Sequence, residues 1–517
     1  MKTLQSYVEG RWVAGSGQGR PLYNPMTEEL IAEASTEGID MGAAVTYART
    51  RGGAALREMT FADRGRLLGE MAKAIHSIRD ELLDLARING GNTRGDAKFD
   101  IDGCTGTMAY YAKLGESLGD RHFLVEPESQ QLTRSPRLVG QHILVPRQGV
   151  AVHINAFNFP GWGFGEKAAV ALLAGVPVIT KPATSTALVT ERMIEVIVDA
   201  GILPDGALTL ITGSVGDLLD HLEGQDTLAF TGSSDTAATI RAGQGCVAKS
   251  VHVNVEADSL NSAVLGSDVD RDAEVYDLFL REVTRDITQK AGQKCTAIRR
   301  ILVPESMMDM VCDDLKEQLQ GMPAGDPALR EVKVGPLSTA SQLRDIREGV
   351  ERLMACTVPV LGDGGRGNLV GIDNDKGYFM SPVLLRAANA REAAAVHEHE
   401  VFGPVATVLP YSGDAPDAID IIRLGGGGLV SSVYTDDAGF AEAMVMGMAP
   451  YHGRLTIGSS RVAEHSPGPG TVLPMMTHGG PGRAGGGEEL GGERGLHFYL
   501  QRTAVQGFRP WLEKMFA

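Results

Sequence analysis

The chain has 517 residues, 43% hydrophobic and 22% charged, with a formal net charge of -17. That length exceeds what one hydrophobic core fills and the composition is globular, so two or more folded domains are expected and a disordered chain is excluded. The acidic balance argues against a nucleic-acid partner or an anionic membrane surface, but it leaves room for a phosphate held by a helix N-terminus and a few placed cations.

Five cysteines, Cys104, Cys246, Cys295, Cys312 and Cys356, are widely spaced and form no CxxC pair. That fits neither a zinc site nor a disulfide framework, and no metal is expected. The opening MKTLQSYVEGRW lacks the apolar run of a signal peptide, and no stretch is long and apolar enough to span a bilayer. A reducing cytoplasm is the expected location, where a free cysteine can stay reactive.

In chain order, the first residues read as short strands and turns, with Asn24-Pro25 as a turn signal. From about Gly42 to Leu118 the pattern is helical, with Leu67, Leu68, Met71 and Ile75 at spacings of three and four. A strand-like stretch runs from about Arg137 to Val145. From Gly149 the pattern becomes strand–helix alternation. The apolar runs Val150–Ile154, Val176–Thr180, Leu208–Ile211 and Thr227–Phe230 are separated by helix-length segments, which predicts βαβ units and a parallel sheet. A second alternating region runs from about Asn261 to Gly458 and includes Ile301–Val303. Two α/β domains with a ligand cleft between them follow. The glycine-rich stretch His478 to Gly492 reads either as a flexible linker or as a functional loop, since it carries Arg483, Glu488 and Glu489.

Six short stretches carry candidate chemistry. In AGQKCTAIRR, Cys295 has small, polar and basic neighbours, and Lys294, Arg299 and Arg300 would lower a thiol pKa from about 8.5 if they lay close. In HINAFNFPGWGFGEK, the Asn158 amide sits in a turn where it can donate to an oxyanion. In PVITKPAT, Lys181 follows an apolar strand, at the carboxyl edge where nucleotide-binding sheets present their ligand. In LAFTGSSDTAATI, Gly232-Ser233 allows a tight turn and a helix N-cap that can face phosphate. In VHVNVEADSLN, Glu256 closes an apolar strand, where burial would raise its pKa towards that of a general base. The sixth, HEVFGPVATV, holds Glu400 and Phe402 before a strand.

Taken in this order, the six stretches resemble the aldehyde dehydrogenase superfamily, and the resemblance runs from GRWV to the EELGG tail. It implies the aldehyde dehydrogenase fold, of class α/β. A Rossmann-like cofactor domain is expected over residues 1–125 and 147–257, and an α/β catalytic domain over 258–476. A β-hairpin oligomerisation element and tail are expected over 126–146 and 477–517, building a homodimer or a higher homo-oligomer. The resemblance makes Cys295 the nucleophile, Asn158 and the Cys295 backbone N–H the oxyanion hole, and Glu256 the base. Lys167 and Glu489 match a lysine and a glutamate that relay protons from it. Cofactor contacts fall on Asn155, Lys181, Thr184, Gly213, Ser214, Gly232, Ser233, Glu400 and Phe402. Lys181 would hold the adenosine ribose, Glu400 the nicotinamide ribose, and Phe402 would pack near the nicotinamide.

Three departures from the family pattern are specific to this chain. The usual ELGG reads EADS, which keeps Glu256 but puts Asp258 and Ser259 in place of two glycines. Asp258, two residues on, is a second carboxylate on the same strand face. The second glycine of the FTGSxxxG pattern is Ala237. KPSE becomes KPAT, so Thr184 replaces an acidic ribose contact; NADP is therefore expected as cofactor, with NAD the weaker alternative. INAFNFP, KPAT, EADSLN, AGQKCTAIRR and HGGPGRAGGGEELGG together resemble the semialdehyde dehydrogenases of aerobic CoA-thioester ring degradation, in the benzoate or the phenylacetate branch. A small CoA-linked semialdehyde is the substrate this implies. The rivals are a CoA-acylating dehydrogenase and a catalytically inactive scaffold subunit.

Overall fold

The computed structural model describes residues 2–516. Two seven-stranded sheets and a smaller antiparallel sheet organise them. The first sheet runs, in spatial order, through His252–Glu256, Thr227–Thr231, Ala151–Ile154, Val178–Lys181, Leu208–Leu210, Ser6–Val8 and Arg11–Val13. Its central strands are parallel and in close register, with Val178 and Thr227 both opposite Ala151, and Thr231 opposite Glu256. Both faces are covered, so these strands are apolar throughout rather than alternating. Parallel register also aligns their carboxyl ends. Asn155, Lys181, Gly232 and Glu256 therefore emerge at one edge.

Helices Phe61–Ser77, Arg94–Leu118 and Trp162–Ala174 share one core with this sheet. Helix Phe61–Ser77 begins at a reciprocal cap. The Asp63 amide donates to Thr60 Oγ1 at 3.1 Å, and the Thr60 amide donates to the Asp63 carboxylate at 2.9 Å. Its apolar residues Leu68, Met71 and Ile75 lie on the buried face, as their spacing requires.

The second sheet has the order Val358–Leu361, Val383–Arg386, Val405–Tyr411, Ile298–Pro304, Asn261–Leu265, Gly428–Tyr434 and His452–Gly458. It is parallel except for the first strand, which is antiparallel to its neighbour. Helix Glu274–Thr288 packs on one face through Tyr276, Phe279, Val283 and Ile287. Among the described residues, no helix is long and apolar enough to cross a membrane.

The glycine-rich tail is neither a linker nor an irregular loop. It forms a hairpin, Thr477–Gly480 against Gly487–Leu490, with His478 opposite Glu489. The hairpin is clamped between the sheets: the Ala257 amide donates to the Ala484 carbonyl at 3.0 Å, and its first strand lies against His452–Gly458. Glycine is required here for proximity, because a Cβ on Gly453 would overlap the Gly479 carbonyl oxygen. The chain then leaves as Leu500–Phe508, which pairs antiparallel with Leu138–Pro146 over nine residues to form the third sheet.

Gly453→Ala must push the hairpin away from the second sheet. We expect a stability loss of about 1–3 kcal/mol, typical of forced overpacking, read as a lower Tm by calorimetry. An unchanged Tm would show that the hairpin is not held by this contact.

Candidate active site

Cys295 lies between helix Glu274–Thr288 and strand Ile298–Pro304, on a turn that the local sequence strains. Lys290, Ala291 and Gly292 have φ of 54°, 52° and 68°. Two consecutive non-glycine residues in the left-handed region are held only where surroundings over-determine them. Here they are: the Lys290 amide donates to Asp96 at 2.9 Å, and Arg299 donates to the Gly292 carbonyl at 2.8 Å. The Asn261 amide donates to both the Cys295 and the Ala297 carbonyls at 2.8 Å.

The basic neighbours in sequence do not serve the thiol. Lys294, fully buried, donates to Asp286 at 2.7 Å and Gln289 at 2.9 Å. Arg299 holds backbone carbonyls and faces Glu400 at 3.8 Å, while Arg300 donates to the Leu260 and Ile422 carbonyls and contacts His397. The expectation of a lowered thiol pKa is therefore corrected. Burial and then Glu256 push the Cys295 thiol up, so the resting group is a thiol that faces a carboxylate.

That carboxylate is Glu256, 2% exposed at the carboxyl end of its strand. One oxygen faces His478 Nε2 at 3.2 Å, and the donor atoms of Glu256, Cys295 and His478 lie within 4.8 Å of one another. Burial alone raises a carboxyl pKa, the outcome expected from the strand pattern. It is outweighed by His478 and then Lys167, which hold Glu256 below the usual carboxylate range. Behind it, Lys167 Nζ contacts Glu166 at 3.0 Å and Glu489 at 3.1 Å, and Asn254 donates to the other Glu489 oxygen at 3.0 Å. Carboxylate oxygens of Glu166, Glu256 and Glu489 also lie within 4.8 Å of one another. Burial opposes charge on Lys167, but Glu166, Glu489 and Glu256 prevail and keep it protonated. Glu489 is pushed up, chiefly by burial.

A narrow cavity opens onto Cys295, lined by Asn158, Phe159, Trp162, Glu256 and His478 among others. Asn158 donates one amide hydrogen to the Gln293 carbonyl at 3.1 Å; its amide group has a second.

The predicted cofactor residues gather at the same sheet edge. The Gly232 amide donates to the Glu256 carbonyl at 3.1 Å, and Ser233 caps helix Ser234–Ala242. Lys181 donates to the Pro182 carbonyl, and its pKa is pushed down to about 8 by burial and then by Arg20. Thr184 begins a single tight turn and its hydroxyl donates to the Gly213 carbonyl at 3.1 Å; Thr36 donates to the Ser214 carbonyl at 3.1 Å. Asn155 donates to Thr180 at 3.1 Å. Glu400 accepts from the Ser259 amide at 3.1 Å; burial, aided by Asp258, pushes it up to about 7 against Arg299 and that amide. Its Oε1 is buried without a hydrogen-bond partner. Phe402 packs edge-on against Phe157 at 5.9 Å. Asp258 turns to helix Ser234–Ala242, accepting from the Ser234 amide at 3.1 Å and its hydroxyl at 2.6 Å.

Sequence reading missed His478, Glu166 and Asn254. A histidine opening HGGPGRAGGG was the one available signal for His478.

The sheets, the thiol and the buried carboxylate opposite it define a dehydrogenase class, and the comparisons agree: the chain belongs to the aldehyde dehydrogenase family, whose model matches residues 12–505. It is an NAD(P)-dependent oxidoreductase acting on aldehydes. It is 44% identical over 478 residues to the 3,4-dehydroadipyl-CoA semialdehyde dehydrogenase of Aromatoleum evansii, covering 92% of this chain and 93% of that one. It is 26% identical over 505 residues to the betaine aldehyde dehydrogenase of Bacillus subtilis, covering 96% and 95%. Two solved structures share the fold. One is 3,6-anhydro-L-galactose dehydrogenase (TM-score 0.85, 22% identity, 98% and 100% coverage). The other is the betaine aldehyde dehydrogenase of Staphylococcus aureus (TM-score 0.84, 23% identity, 98% and 94% coverage).

Lys167→Met should leave three close carboxylates without their shared cation and lower stability by about 3–5 kcal/mol. Because Lys167 is held protonated above its ordinary value, its contribution persists across the neutral range and is lost only at alkaline pH. The Tm deficit should shrink from pH 8 to pH 5, as the stranded carboxyls take up protons. An equal deficit at both would contradict the charge account.

Proposed function

We propose that this protein oxidises an acyl-CoA semialdehyde, 3,4-didehydroadipyl-CoA semialdehyde in aerobic benzoate degradation, to the carboxylic acid with NADP. The observation that carries the chemistry is the Glu256 carboxylate facing the Cys295 thiol in one shared cavity. The substrate class rests on the 44% identical relative, which is named a 3,4-dehydroadipyl-CoA semialdehyde dehydrogenase.

In this reading Glu256 takes the Cys295 proton and sulfur attacks the aldehyde carbon. The free amide hydrogen of Asn158 and the Cys295 backbone N–H hold the oxyanion. The bound dinucleotide supplies the hydride acceptor. Once the thioester has formed on Cys295, Glu256 deprotonates the water that hydrolyses it. Before that water attacks, Glu256 gives up the Cys295 proton: Lys167, protonated at rest, passes a proton to Glu489 and takes the one from Glu256, and the same relay resets Glu256 after hydrolysis. The CoA of the substrate stays at the far end.

The residues present fit a dinucleotide. The unpartnered Glu400 oxygen suits a ribose hydroxyl, and the capped helix at Ser233 faces the same edge as Lys181. NADP is favoured because Lys181 and Arg20 are cations on elements beside Thr184, and position 184 itself carries a hydroxyl rather than a carboxylate that would repel a 2′-phosphate. The Thr184 hydroxyl would leave Gly213 to reach it. Gly213, Ser214, Asn155 and Phe402 complete the proposed cofactor face. The three-part division into cofactor domain, catalytic domain and oligomerisation arm belongs to the same reading. So does a homo-oligomer, supported by the exposed Trp511, Met515 and Phe508 beside the edge strand Leu500–Phe508.

Cys295→Ala should abolish NADPH formation, while Cys246→Ala, Cys312→Ala and Cys356→Ala retain it. Glu256→Gln should lose turnover by a factor of about 10²–10⁴, with Cys295 found acylated by mass spectrometry after one turnover. Asp258→Asn should leave hydrolysis largely intact, since Asp258 is turned to Ser234. A requirement for added free CoA would instead make the enzyme acylating.

Steady-state kinetics should give a higher kcat/KM for NADP than for NAD. Lys181→Ala should cost NADP at least about tenfold, the scale of a lost charge-assisted bond, and Thr184→Glu should shift preference towards NAD. A higher kcat/KM for NAD in the parent would overturn the cofactor assignment.

A further inference from the structure

The catalytic hairpin brings a titratable group into the site that the steps above do not use. His478 is 3% exposed, its Nε2 lies 3.2 Å from Glu256, and its Nδ1 is buried without a hydrogen-bond partner. A carboxylate buried to this degree takes up a proton unless a cation is in contact with it. Lys167 is shared with Glu166 and Glu489, both in direct contact with it. Arg454, on the neighbouring strand His452–Gly458, donates to the Pro469 carbonyl and keeps Nε and Nη1 without a partner, but among the described residues Glu256 forms an ion pair within 4.0 Å with His478 and not with Arg454. His478 is therefore the cation committed to Glu256. From the structure we infer that His478 is a positioning residue, which as an imidazolium keeps Glu256 ionised and aimed at the Cys295 thiol.

The charges facing His478 are consistent with its being protonated. Glu256 contacts it from strand His252–Glu256. Glu166 acts from helix Trp162–Ala174 and Glu489 from the opposite strand of its own hairpin, while Arg454 opposes. Burial also opposes, and Glu256 and then Glu166 outweigh both. Lys167 and Cys295 complete the surrounding titratable groups. The proton balance is closed: the Cys295 S–H bond breaks, Glu256 gains that proton, and the imidazolium retains its own. The thiolate that results is balanced by a positive charge already in place.

This inference rests on Glu256 being the base, and its test separates the two. The pH dependence of kcat/KM with NADP and hexanal, and of Cys295 alkylation by iodoacetamide, would be measured from pH 5 to 9. The parent, His478→Gln and His478→Phe would be compared, with Glu256→Gln alongside. Without the imidazolium, Glu256 should protonate at higher pH. Both acid limbs, which the parent holds below pH 5, should then move up into the measured range, and a limb reaching about pH 7 drops the rate at pH 6 about tenfold relative to its plateau. A variant with a uniformly lower rate and an unmoved limb would make His478 a packing residue and overturn the proposal. If Glu256→Gln turns over like the parent, the base assignment fails, while the alkylation limb still reports the His478–Glu256 pair. Should neither His478 variant fold, the ¹⁵N-histidine spectrum of the parent decides. An imidazole doubly protonated at pH 7.5, whose shifts respond to Cys295 alkylation, supports the role; a neutral one overturns it.

Discussion

Placing an ionised carboxyl group in a dry site is costly, and most of the arrangement around Glu256 follows from meeting that cost. The strand that carries it is buried at this end because the sheet is covered on both faces. The cations that compensate it must therefore come from elsewhere: Lys167 from the helix behind the sheet, His478 from a hairpin near the end of the chain. Each brings further obligations. Lys167 is shared with Glu166 and Glu489, and Glu489 in turn is fixed by Asn254. A single buried charge thus accounts for a connected set of polar groups spanning strand, helix and hairpin.

The parts of this picture that sequence revealed are those set by local pattern. The parallel strands from Ala151 to Thr231 were legible because strands buried on both faces are continuous apolar runs broken by helix-length segments. Cys295, Glu256 and Lys181 stood out because each sits at a boundary between such a run and a polar turn. What was not legible depended on contacts between distant segments. Lys294, Arg299 and Arg300 adjoin Cys295 in sequence, yet the turn and strand direct them to Asp286, Glu400 and backbone carbonyls. The glycines from Gly479 to Gly492 suggested chain freedom, whereas they permit close backbone approach at a clamped hairpin. His478 was hidden by the same composition.

The cofactor edge shows how a local substitution is absorbed. Asp258 stands where the family pattern has glycine, and it is accommodated by capping the helix that follows Ser233. This places a negative charge at a helix N-terminus, where it interacts favourably with the helix dipole. The same carboxylate adds to the raised pKa of Glu400. One replaced glycine therefore bears on two groups at the proposed dinucleotide face while leaving the Glu256–Cys295 pairing untouched.

The nine-residue pairing of Leu500–Phe508 with Leu138–Pro146 begins just past Tyr499, whose hydroxyl meets His153 at 3.0 Å and whose carbonyl accepts from the Arg147 amide at 3.2 Å. The hairpin bearing His478 and Glu489 lies immediately upstream. The outer arm thus works as a ruler for the catalytic centre. A slip of one residue in its register would displace the tether by about 3.4 Å and turn every side chain to the opposite face. The fidelity of a solvent-facing β-ladder thereby becomes part of what keeps two buried acid–base groups in place, and the end of the chain is an anchor rather than an appendage.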